Sequence, residues 1–75
     1  MEEEKLQEFI NKTEFPILSS EGKQLKIIQN TGYIDYYDPV YELKIEDNKL
    51  LIIGFINNIY EHPVSEIENI TIIKI

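Results

Sequence analysis

The feature that most constrains the fold is a change of hydrophobic period at Phe15. Before it, Leu6, Phe9 and Ile10 recur at i, i+3 and i+4, the spacing of one helix face. From Phe15 onward, β-branched and aromatic residues come in short runs separated by Gly, Asn, Asp and Pro, the pattern of strands joined by tight turns. Such a chain is mainly β: a short N-terminal α-helix followed by a small, strongly bent antiparallel sheet or a barrel of the Sm or SH3 shape. An open sheet with the helix on one face is the alternative.

The helix is predicted over residues 2–12. Glu2, Glu3 and Glu4 sit in the first turn, where the helix dipole favours acids, and Glu8 to Lys12 is a well-oriented i,i+4 pair. Thr13 and Pro16 end it. Three apolar positions do not hold a helix together alone, so it has to dock on the β portion.

Strands are predicted over 15–19, 24–29, 33–37, 40–46, 49–56, 59–62 and 71–75. Gly22 and Gly32 supply the positive φ of two turns, Asp38-Pro39 forces a bend, and Asp47-Asn48 and Asn57-Asn58 read as two-residue connections. Residues 40–46 alternate cleanly, placing Tyr41, Leu43 and Ile45 on one face and Glu42, Lys44 and Glu46 on the other. The run "LLIIGFI" does not alternate. Leu51, Ile53 and Phe55 can face the core, which leaves Leu50, Ile52 and Ile56 without polar counterparts; either the strand is central, or those three form a subunit interface. Gly54 within it marks a sharp bend or a close backbone approach.

At 75 residues there is one domain, spanning 1–75, near the size at which a single core leaves stability marginal and oligomerisation helps. No cysteine is present to staple it, which points to a reducing, cytoplasmic setting. The acidic N-terminus does not resemble a secretory leader, and the longest apolar run is far too short to span a bilayer.

Fourteen acids against seven lysines give a net charge of −7, with no arginine. A negative field without the guanidinium fork argues against duplex DNA and membrane surfaces as partners. Acids concentrate between Tyr33 and Asn69, where Asp35, Asp38 and Glu42 flank one bend. That acidity serves solubility, or it draws a basic protein partner.

Catalytic patterns are missing. His62 and Ser65 are close in sequence, yet no nucleophile elbow or oxyanion hole accompanies them. "DYYD" lacks the spacing and glycine of a calcium loop, and no glycine-rich phosphate cradle exists. The expectation is a non-enzymatic protein with no cofactor and no metal. Five tyrosines remain as candidate contact residues, since exposed tyrosine anchors both protein interfaces and stacked bases. Tyr36 and Tyr37 are adjacent on a strand and point to opposite faces, so at most one is core and the other either touches a ligand or covers a strand edge. His62, followed by Pro63, either ends a strand or reads a ligand together with Tyr60.

Two stretches resemble the Sm-like family, in particular its bacterial Hfq-like RNA-chaperone branch. "GYIDYYDPV" (32–40) is similar to that family's G-x-I-x-x-[FY]-D-x-[FV] strand and bend, and "IYEHPVSEI" (59–67) to its Y-K-H-[AP]-[IV]-S segment. The helix segment "LQEFIN" sits where that family has its own. The resemblance implies a helix on a bent five-stranded barrel, edge-to-edge rings of subunits, and binding of uridine-rich single-stranded RNA. It would put Tyr37 and Val40 at the base-facing bend and Tyr60 and His62 at the pore. Other small-barrel groups, YolD-like proteins among them, also finish with a proline-led turn into a last strand. The charge disfavours RNA. The preferred expectation is therefore an acidic module that binds a protein partner or self-associates, with Tyr36, Tyr37, Tyr60 and His62 at the ligand and Asp35, Asp38 and Glu42 on the partner-facing side. An arginine-free composition rich in Ile, Asn, Lys and Glu is compatible with an AT-rich bacterial or phage genome, where small acidic proteins act as regulators or inhibitors.

Overall fold

The computed structural model describes residues 1–75 and is mainly β, with one short helix. Helix α1 (Glu3–Lys12) carries Glu3 and Glu4 in its first turn and Lys12 in its last, both favourable to the helix dipole. Its C-terminus is closed by Thr13, whose hydroxyl donates to the Phe9 carbonyl at 2.6 Å and whose N–H bonds the Ile10 carbonyl. Leu6 is wholly buried, and Phe9 and Ile10 pack beside it on the core. Glu8 and Lys12 do not form the expected ion pair; Gln7 and Asn11 make the i,i+4 contact instead, at 3.0 Å.

Six strands follow: β1 (Lys23–Gln29), β2 (Ile34–Tyr37), β3 (Glu42–Glu46), β4 (Lys49–Ile53), β5 (Ile59–Pro63) and β6 (Ile67–Lys74). They form two three-stranded antiparallel sheets, ordered β2-β1-β6 and β3-β4-β5. The chain crosses from one sheet to the other between β2 and β3, at the Asp38-Pro39 bend. There Val40 exchanges two backbone hydrogen bonds with Ile17, at 2.8 and 2.9 Å. A strand over 15–19 therefore shrinks to this single bridge, followed by a 3-10 turn (Ser19–Glu21) closed by Gly22 at φ 76°. Both sheets turn their apolar faces onto one core, to which β1 contributes Leu25 and Ile27, β4 Leu50 and Ile52, and β6 Ile67 and Ile70.

The β3–β4 turn fixes which face of β4 is buried. Asp47 and Asn48, both at positive φ, make a two-residue connection that pairs Ile45 with Leu50 and Leu43 with Ile52. Directly opposite residues share a face, so Leu50 and Ile52 enter the core with no exposed surface. This reverses the expected phase of the strand. Leu51 and Ile53 are the half-buried outer positions, so Leu50 and Ile52 cannot serve as a subunit interface, while Ile56 lies beyond the strand at 77% exposure.

Two further departures have local causes. Tyr41 was expected on the core face of β3 but is exposed, because the strand starts only at Glu42 and Val40 takes the core position in its bridge with Ile17. The β4–β5 turn centres on Ile56 and Asn57, at φ 51° and 60°, one residue earlier than Asn57-Asn58. Gly54 opens that turn, and a side chain there would meet the Pro39 carbonyl oxygen at 3.3 Å, so the turn rests directly on the bend between the sheets.

Candidate functional site

The site follows from two strand registers. On β2, Asp35 and Tyr37 stand opposite Ile27 and Leu25, both buried, so both point inward. On β5, Tyr60 and His62 stand opposite Ile52 and Leu50, so they also point inward, from the other sheet. The two pairs meet where the sheets diverge. The Tyr37 hydroxyl and His62 Nε2 share a hydrogen bond of 2.6 Å, and their rings meet edge to face at 5.6 Å. Tyr60 lies against Tyr37 with ring centroids 5.0 Å apart and planes inclined at 43°, a separation at which aromatic rings interact. The Asp35 carboxylate lies 4.0 Å from His62 Nε2 and accepts a 2.7 Å hydrogen bond from the Gln29 amide.

Burial sets the proton inventory of this cluster. His62 is only 7% exposed, and that desolvation holds its imidazole below the ordinary value, against the opposing pull of Asp35 and Glu66. Burial also pushes the Tyr37 hydroxyl up to about 12, helped by the charge of Asp35 and by Tyr60. Both groups are thus neutral at pH 7 and keep their short bond. The pair is a rigid support for whatever lies in front of it.

What lies in front is a groove of about 240 Å³ between the end of β2 and the β4–β5 turn. Tyr37, Tyr60, Phe55 and Pro39 line it, and the exposed Tyr36, Asp38 and Asn58 complete the rim. Phe55, Tyr36 and Tyr60 are 56%, 52% and 46% exposed, so aromatic surface is open to solvent here. The Ser19 hydroxyl and the Gln24 amide, whose Nε2 donates at 3.2 Å, hold the Asp38 carboxyl below the ordinary range and keep it ionised. A larger depression of about 560 Å³ between α1 and β3 has one apolar residue, Ile45, among Glu3, Glu4, Gln7, Glu8 and Asn11. It offers no anchoring surface.

Of the residues singled out from sequence, Tyr36, Tyr37 and Tyr60 share the groove, with His62 directly behind Tyr37. The three acids do not share a face. Asp38 is on the rim, Asp35 turns inward toward Gln29 and His62, and Glu42 is exposed on β3 opposite Ile53. Val40, which the resemblance assigns to a base-facing bend, has no exposed surface. Phe55 and Pro39 escaped sequence reading as site residues. Phe55 looked like a core position of a longer β4, and only Gly54 hinted that the strand ends before it.

With this geometry in hand, the fold defines a small mainly-β domain with an aromatic groove where its two sheets part. Comparison with family models, curated proteins and solved structures returns no match. No helix is long and apolar enough to cross a membrane.

Proposed function

We propose that this protein is a non-enzymatic binding module that takes an extended, basic segment of a partner protein in the groove between β2 and β5. The observation that carries the reading is the groove itself. Exposed Tyr60 and Phe55 beside an ionised Asp38, on a chain of net charge −7, combine the usual anchors of a protein interface with a field that attracts a cation. Tyrosine gives large contact area at small conformational cost, and the Tyr37–His62 bond removes more of that cost by fixing one wall in advance.

A second reading is favoured by the convergence of Tyr37 with Tyr60 and His62, because the Sm-like resemblance implies an RNA site built from those segments. Base stacking on paired tyrosines is its physical basis. It requires a closed ring of subunits and a phosphate-neutralising surface, which the acid excess opposes.

One calorimetric series separates the two. The purified protein is titrated with a capped lysine- and arginine-bearing decapeptide and with an oligouridylate of similar length, at low and moderate salt. The expected result is saturable peptide binding that weakens with salt and falls at least about tenfold in Tyr60→Ala. Binding of oligouridylate alone, with a ring-sized mass by light scattering, would replace this reading with the Sm-like one.

A further inference from the structure

The groove's chemistry narrows the partner further, and this inference rests on the peptide-binding reading above. The geometry points to a guanidinium reader: the groove selects an arginine side chain of the partner, stacked on the Tyr60 and Phe55 faces with one N–H donated to Asp38, over a lysine in the same place.

Three observations carry it. Aromatic faces and one carboxylate line the same small volume, and a flat, weakly hydrated cation satisfies both together. An ammonium is a compact, strongly hydrated point charge that cannot lie flat on a ring. Asp38 already accepts from the hydroxyl and the backbone N–H of Ser19 and from the Gln24 amide, so its orientation does not have to be fixed by the ligand, and of the roughly four acceptor sites of a carboxylate one stays open beyond those bonds. Finally, no lysine lines the groove; the nearest in register is Lys26, across from Tyr36 on β1.

These 75 residues hold no guanidinium to offer the site. All seven of its side-chain cations are lysines. A second copy therefore brings no guanidinium, and it brings a further charge of −7. The occupant is a different, basic protein.

The test uses two capped decapeptides of equal charge, one with three arginines and its twin with three lysines at the same positions. Long-range attraction to the negative chain is equal for both, so any difference reads local contacts. The expected result is about 3- to 30-fold tighter binding of the arginine peptide, the range that cation–π stacking supplies from exposed to partly desolvated sites. That preference should survive in Tyr60→Phe, which keeps the ring face, and shrink in Tyr60→Leu, which keeps apolar bulk without it. Asp38→Asn should reduce it as well, with circular dichroism confirming that all three variants remain folded. Equal affinity for the twins overturns the guanidinium inference and leaves the peptide groove standing. If neither peptide binds while oligouridylate does, both readings fail.

Discussion

Replacing Tyr37 by Phe removes one oxygen atom from the support behind the groove, and its effect is calculable. The change deletes the 2.6 Å bond to His62 and leaves Nε2 of a side chain in a residue only 7% exposed without that partner. A typical intramolecular hydrogen bond contributes about 0.5–1.5 kcal/mol net, and an abandoned buried polar group costs about 1–3 kcal/mol. Asp35, at 4.0 Å, recovers part of this by drawing the imidazole toward it. The expected loss is about 1–2 kcal/mol, which for a domain of this size lowers Tm by roughly 4–8 °C per kcal/mol. Urea unfolding followed by circular dichroism measures it. His62→Phe should cost a similar amount, and the double variant less than the sum, because two apolar rings leave nothing unsatisfied. Loss below about 0.3 kcal/mol in Tyr37→Phe, or additivity within that margin, would refute the coupling of these two side chains.

The same pair gives a pH dependence at both ends of the scale. His62 has its folded-state value below the unfolded one, so its contribution is complete above about pH 6.5 and is lost as the pH falls below it; the corresponding slope should vanish in His62→Phe. Tyr37 has its folded value raised from 10.0 to about 12, so stability should fall as pH rises through that interval and should fall less in Tyr37→Phe. On β4, Ile52→Ala should cost about 2–5 kcal/mol and Ile53→Ala clearly less, since only the former is wholly buried; equal losses would overturn the register. Ile56 holds a β-branched side chain at φ 51° and ψ 55°, a conformation costing roughly 1–2 kcal/mol for L-residues, so Ile56→Asn should stabilise the fold by about 0.5–1 kcal/mol in urea unfolding. Gly54→Ala should destabilise by about 1 kcal/mol or more through its contact with the Pro39 carbonyl, and should weaken peptide binding by shifting the turn that carries Phe55.

Much of this fold was legible in the sequence because turns and periodicity agree. The helix, the Asp38-Pro39 bend and the Asp47-Asn48 connection are all where their chemistry puts them. The phase of β4 was read in reverse, because it is set by pairing and not by the strand's own pattern. Read alone, its run of four apolar residues, 50–53, carries no alternation, whereas the two-residue turn carries the inward assignment of Leu43 and Ile45 across to Ile52 and Leu50. The start of β6 was hidden for a different reason. A register shift between Ile28 and Gln29 leaves Glu68 as an extra residue, so Ile67 and Ile70 recur at a spacing of three and do not read as a strand. The Ile17–Val40 bridge leaves no periodic trace at all, being a single pair.

The site was legible in part. Aromatic content flagged Tyr36, Tyr37 and Tyr60, and the Asp38-Pro39 bend located one end of the groove. His62 does sit in the last part of a strand, yet its register opposite Leu50 buries it and turns it toward Tyr37. Nothing in the sequence tied Gln29 to Asp35, since that contact depends on where β1 and β2 pair.

The most direct test of the binding account is a chemical-shift map of the backbone amides, recorded while the arginine-bearing peptide is titrated into the labelled protein. The account predicts saturable amide shifts confined to residues 36–38 and 54–60, with the His62 ring signals, followed separately, moving in step because the imidazole bonds the Tyr37 hydroxyl on the groove wall. Shifts gathered on α1 and β3, or none at all at saturating peptide, would contradict it.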